Sequence, residues 1–169
     1  MKFFYPKGST GLLAFLMSLS LRGGEATHPY RVSIFNSQDL SLFLDCLAQV
    51  ESGRNDKAIA YKNGKPYARG RYQITEAVWK QHTYLPWTLA HSFYVSETIA
   101  RKHVEWLDAR LERISISAYH FRPFVIAFAW RGGLSSWENQ YALDYETKQK
   151  YNDYATRVAN LYWSLKNDR

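Results

Sequence analysis

The chain has a single cysteine, Cys46, so no internal disulfide can staple it. Cys46 sits inside an apolar stripe and is most simply a small buried hydrophobe; no leucine and small residues of a lipid-attachment signal precede it. Glycine-rich phosphate loops are absent, which argues against a nucleotide cofactor. The five histidines (His28, His82, His91, His103 and His120) lack ligand-like spacing, so neither a metal nor another cofactor is expected. No repeat, low-complexity tract or linker interrupts the chain, and 169 residues suffice for one domain with a real core. Gly11 to Leu21 is a mostly apolar run, too short to be a comfortable membrane span.

Lys2 and Lys7 precede that run, and Gly24-Glu25-Ala26 follows it with small residues where a signal peptidase reads. Residues 1–26 therefore read as a signal peptide and 27–169 as the mature domain, periplasmic or extracellular; an uncleaved anchor is the other reading of the same run. The formal net charge of +7 is biased toward anionic surfaces, among them cell wall, lipid headgroups and nucleic acid. The Lys and Arg are scattered without a basic stripe, which with export argues against nucleic acid and leaves peripheral membrane contact as an option. Aromatics reach 17%, including 13 Tyr and 6 Trp, enough for both a core and flat platforms on which sugar rings rest.

Leu40, Phe43, Leu44, Leu47 and Ala48 recur at helical spacing from Asp39 onward, with Asn36 or Ser37 as cap and Gly53 as stop. Phe43, Leu47 and Glu51 are successive steps of four, which places a carboxylate on the inward face at the helix end. Desolvation there raises its pKa, and a carboxyl protonated near neutral pH is what a general acid needs. A salt-bridged glutamate on a wet rim fits the same periodicity. Ala58 to Ile74 reads as a small β-hairpin lobe turned at Asn63-Gly64. Helices are expected over Thr75 to Gln81, Ser96 to about Arg113, Pro123 to Trp130 ahead of Gly132-Gly133, and along a face from Tyr151 to Leu165. The fold class is thus mainly α with one small β excursion, α+β.

A helix ending Glu51-Ser52-Gly53, then Gly70-Arg71-Tyr72-Gln73-Ile74-Thr75, Val78-Trp79, Ala127-Phe128-Ala129-Trp130-Arg131-Gly132-Gly133 and Tyr154-Ala155-Thr156-Arg157-Val158, resembles the lysozyme-like superfamily. The likeness is closest to soluble lytic transglycosylases and related phage endolysins, and spans roughly Asp39 to Tyr162. It implies a lysozyme-like fold, with a helical domain and a small β-hairpin lobe after the catalytic-glutamate helix. It also implies peptidoglycan glycan strands as partner, and cleavage of the β-1,4 bond between N-acetylmuramic acid and N-acetylglucosamine. Glu51 would be the catalytic acid and then base, with a monomer acting without cofactor. Ser52, Tyr72, Gln73, Trp130, Arg131 and Tyr154 would be the substrate-binding residues. Of these, Ser52 could fix the Glu51 rotamer or simply bond the preceding turn, Tyr72 fits packing beneath the cleft at least as well, and the Tyr154 phenol could reach the acid.

Arg131 departs from the family block, which has asparagine there. If it points at Glu51 it lowers the acid's pKa; if it points toward a peptide stem it can grip a carboxylate. The expected activity is therefore that of a lytic transglycosylase, with a hydrolytic lysozyme and a catalytically silent wall-binding or scaffold protein as the alternatives. Asp56, Glu76, Glu97 and Asp144 are the other acids considered; Asp56 is explained as turn capping, and Glu76 and Glu97 as helix-dipole compensation. N-terminal sequencing of exported protein is expected to begin near Thr27; a full-length mass would show that the leader is retained.

Overall fold

Asn36 accepts the Asp39 N–H through its side chain at 2.8 Å and starts helix α1, Ser37–Ser52. At the other end Gly53 takes a left-handed φ of 63°, and Gly53 and Arg54 donate to Gln49 and Ala48 in a Schellman-type stop. The structure, a computed structural model, describes residues 35–111 and 121–169, all within the unit Ser33–Arg169. The expected signal segment, its cleavage point, and Arg113 and Ile114 lie outside the described residues.

After α1 come strands β1 (Ile59–Lys62), β2 (Lys65–Arg69) and β3 (Ile74–Thr75), an antiparallel sheet in the order β1-β2-β3. Asn63 and Gly64 both have positive φ, 52° and 74°, as a two-residue hairpin turn demands. Ala60 opposes Ala68 and Lys62 opposes Lys65, with an irregularity between Ala60 and Tyr61 that twists the hairpin. Helix α2 (Glu76–His82) is capped by the Thr75 side chain; a 3-10 helix (Trp87–His91) and α3 (Phe93–Leu111) follow. Then come α4 (Arg122–Gly132), α5 (Leu134–Glu138) and α6 (Tyr145–Asn167). The described chain is mainly helical with one small three-stranded sheet.

Two helix starts and two short helices differ from the sequence expectation. Helix α3 starts a turn before Ser96, because the Ser96 N–H already donates to Ser92 O. The 3-10 helix and α5 were not foreseen: each is five residues long, too short for a 3.6-residue period to show. Helix α6 begins at Tyr145 because Asp144 caps it, its side chain accepting from Thr147 N at 2.8 Å.

The core gathers Phe43, Leu44 and Leu47 of α1 with Trp79, Val104, Leu107, Ile126, Phe128 and Tyr162, all essentially without solvent exposure. Helix α6 packs most extensively on α4 and next on α1. Gly132 allows that close approach, since a Cβ there would lie 2.6 Å from the Tyr151 ring. The sheet, largely exposed itself, is clamped from behind by the 3-10 helix. Trp87 Nε1 donates to Ile74 O at 3.0 Å, His91 Nδ1 pairs with Asp56 O at 2.9 Å, and the Arg69 guanidinium covers the Trp87 ring at 4.7 Å.

Gly70 sits in this clamp with φ +73°, and a Cβ would lie 1.9 Å from Ala90 O. Both conformation and space exclude a side chain there. Gly70→Ala is expected to lose about 2–4 kcal/mol of stability by urea unfolding, with the loss falling on the contact between sheet and 3-10 helix.

Candidate active site

Glu51 occupies the last turn of α1, where the sheet leaves the helical body, and its side chain is only 6% exposed. Two neighbours hold it. Trp130 of α4 donates Nε1–H to Oε1 at 3.1 Å, and Tyr154 of α6 donates its hydroxyl to the same oxygen at 2.8 Å. With Oε1 committed as a double acceptor, the proton of the neutral acid belongs on Oε2. That second oxygen faces Arg131, whose Nη1 lies 3.9 Å away.

Opposing effects set the acidity. Burial pushes the Glu51 pKa up, while the Tyr154 hydrogen bond, the Arg131 guanidinium, the Trp130 hydrogen bond and the Arg157 charge pull it down; burial prevails. Arg131 is therefore directed at the acid, but its pull is diluted by distance and by a side chain 52% exposed to water. Tyr154 is itself pushed well above the usual tyrosine value, by burial first and the Glu51 carboxylate second, so it stays a hydroxyl donor. Behind Trp130 lies His103, stacked on Trp106 at 5.5 Å, edge-on to Trp130 at 5.3 Å, and 3.0 Å from His82. Burial pushes the His103 pKa down to about 3, so a neutral ring backs the indole that grips the acid.

A groove runs between the sheet and the α4/α6 pair, with Glu51, Ala60, Gln73 and Arg131 common to its two halves. One half, about 300 Å³, is lined from the hairpin side by Tyr61, Lys62 and Tyr67 and closed by Trp130. The other, about 490 Å³, adds Lys150, Asp153, Tyr154 and Arg157 from one face of α6. Gln73 stands at the junction with a positive φ of 47°, its Nε2 donating to Gly70 O at 2.8 Å. Its amide oxygen is the group left to receive a ligand donor.

Four of the named residues thus meet Glu51 at the groove: Gln73, Trp130, Arg131 and Tyr154. Two do not. Tyr72 is 2% exposed and belongs to the hydrophobic core, with burial raising its pKa to about 12, and it lines neither half of the groove. Ser52 turns away from the acid: its hydroxyl donates to Arg71 O at 2.8 Å and accepts from Asn55 N at 3.0 Å, tying the helix end to the hairpin. The remaining acids are structural. Asp56 pairs with Arg71 at 2.7 Å, Glu76 with Lys80, and Glu97 with Arg101, while Asp144 is the α6 cap. Among the described residues no three His, Cys, Asp or Glu gather as a metal site, and no helix is long and apolar enough to cross a membrane.

Sequence reasoning missed Lys150, Asp153 and Arg157. Their spacing around Tyr154 held the signal: positions 150, 153, 154 and 157 follow i, i+3, i+4, i+7 and share one helix face. His103 was legible in the same way, since Ile99, His103 and Leu107 step by four.

No protein-family model, curated protein or solved structure matches this chain.

A buried carboxyl with a raised pKa works against folding wherever it must ionise. The sign follows directly: its contribution is favourable below the unfolded-state pKa of about 4.3 and is lost as pH rises through the folded value. Glu51→Gln, which keeps an acceptor for Trp130 and Tyr154, is expected to stabilise the fold at pH 7 by about 0.5–2 kcal/mol. The gain should disappear below roughly pH 4; thermal melts of both proteins across pH check it.

Proposed function

We propose that this protein is an exported peptidoglycan-cleaving enzyme with a lysozyme-like fold, a lytic transglycosylase in which Glu51 is the single acid/base. The reading rests above all on the Glu51 carboxyl: buried, raised in pKa, held by two donors on one oxygen, and placed where both halves of an open groove meet. The sequence resemblance adds the substrate class.

In this mechanism a glycan strand lies along the groove with its scissile bond over Glu51. Oε2–H protonates the bridging oxygen as the bond to the anomeric carbon breaks, and positive charge develops on the muramic ring. Glu51, now a carboxylate, is stabilised by Tyr154, Trp130 and Arg131. It then takes the proton of the muramic 6-hydroxyl as that oxygen bonds to the anomeric carbon, closing a 1,6-anhydro ring and restoring the acid. Among the described residues, the groove's lining contains only one further carboxylate, Asp153. That scarcity favours a route in which the substrate's own hydroxyl is the nucleophile. Arg131 favours the ionised acid, so it depletes the protonated form from which the cycle starts, stabilises the carboxylate that the first half produces, and opposes the proton uptake of the second half.

Digestion of purified peptidoglycan, read by mass spectrometry, tests the reading. Soluble muropeptides with 1,6-anhydro ends are expected from the wild type, with release reduced at least about 1000-fold in Glu51→Gln, the scale of losing a general acid. Hydrated reducing ends would make the enzyme a lysozyme instead. Wall binding without release would make it the silent binder, with Arg131 holding the acid in its ionised form.

A further inference from the structure

The two halves of the groove differ in charge. On the hairpin side, Tyr61 and Tyr67 offer neutral amphipathic faces, with Lys62 and the shared Arg131 as cations. On the α6 side, Arg131, Lys150 and Arg157 line about 490 Å³ of space whose only acids among the described residues are Glu51 and Asp153. Neutral sugars do not require three cations, because hydroxyls and acetamido groups are satisfied by neutral donors and acceptors.

These cations are also available. Lys150 reaches Glu146 only at 4.0 Å, in an i, i+4 pair whose side chains are 75% and 84% exposed, an interaction readily exchanged for a better one. Arg131 contacts Glu51 at 3.9 Å, outside bidentate range, and its guanidinium lies 5.7 Å from the Tyr154 ring centroid, from which it can turn onto an incoming anion. Arg157 lines the same space with an exposed side chain.

We propose that the α6 half of the groove, formed by Arg131, Lys150 and Arg157, is a carboxylate-binding subsite for an acid carried on a ring substituent of the glycan. The subsite deepens the proposed function and rests on the groove taking a glycan. The carboxylate belongs either to an ether-linked acid on the ring itself or to a peptide attached through it; both present the same planar anion. Binding there draws Arg131 away from Glu51 and brings a negative charge toward the acid. Both effects favour the protonated form at the moment a substrate arrives. Arg131 then acts as a cation that restrains the acid in the empty groove and releases it to the correct ligand.

The full chain carrying Glu51→Gln, which cannot turn over, serves for binding by calorimetry. Three ligands are compared: an N-acetylglucosamine tetramer, a tetrasaccharide containing muramic acid without peptide, and the same saccharide with its peptide stem. An acid-bearing ligand is expected to bind at least tenfold more tightly than the neutral tetramer, with the preference falling as salt rises. Adding Lys150→Gln and Arg157→Gln, both at exposed side chains, should bring the ratio close to one. A preference for the peptide-free acid places the carboxylate on the ring ether; a preference that appears only with the stem places it on the peptide. Equal binding of neutral and acidic ligands, or a preference that survives both substitutions, overturns the subsite while leaving the glycan reading intact. Binding of none of the three overturns the glycan reading, and the subsite with it.

Discussion

The buried carboxyl of Glu51 is the constraint around which the other parts of this structure are arranged. Removing a carboxylate from water is costly unless it is protonated or supplied with donors. Here both remedies operate: burial raises the pKa, and two donors from different helices saturate one oxygen. Because those donors come from α4 and α6, the acid also records whether α1, α4 and α6 are packed correctly. The small residues at that junction serve the same end, with Gly132 letting α6 close on α4 so that Trp130 and Tyr154 converge.

The sheet depends on the same point from the other side. Ser52, next to the acid, ties the end of α1 to the Arg71 carbonyl, and Arg71 in turn pairs with Asp56 while covering the Phe93 ring at 4.4 Å. The hairpin's weak point is its own small size, since two or three short strands are marginal without packing against another element. Clamping by Trp87, His91 and Ser52 supplies that support and fixes the far wall of the groove. Asp56, Glu76, Glu97 and Asp144 are consumed in this framework as ion pairs and a cap, which leaves Glu51 and, on the α6 side, Asp153 as the carboxylates that the described residues bring to the groove.

Arg131 illustrates how two opposed electrostatic effects are decided by magnitude. At 3.9 Å a buried guanidinium would hold a carboxylate firmly ionised; half-exposed, it is screened, and the desolvation of Glu51 outweighs it. The same exposure that weakens its hold on the acid leaves it free to meet a ligand.

Local rules made much of the scaffold legible. The α1 stripe with its Asn36 cap and Gly53 stop, the Asn63-Gly64 turn, and Pro123 at the start of α4 each follow from one residue's backbone or capping chemistry, and each stands where its pattern put it. The step of four put Glu51 on the inward face or its wet rim, and the packed structure decided for burial. The fate of Ser52 and Tyr72 did not follow from spacing, because a hydroxyl or phenol near an acid can turn either way, and only the packed hairpin turned one to Arg71 and buried the other. Likewise the i, i+3, i+4, i+7 face of Lys150, Asp153, Tyr154 and Arg157 was written in the chain, but not which element it would confront. Sequence by itself determined the longer helices, the turn and a carboxylate closing the α1 stripe, since these depend on neighbours within a few residues. Tertiary structure decided which donors reach that carboxylate from 79 and 103 residues away, and so which way its proton balance falls, because burial and charge act through space rather than along the chain.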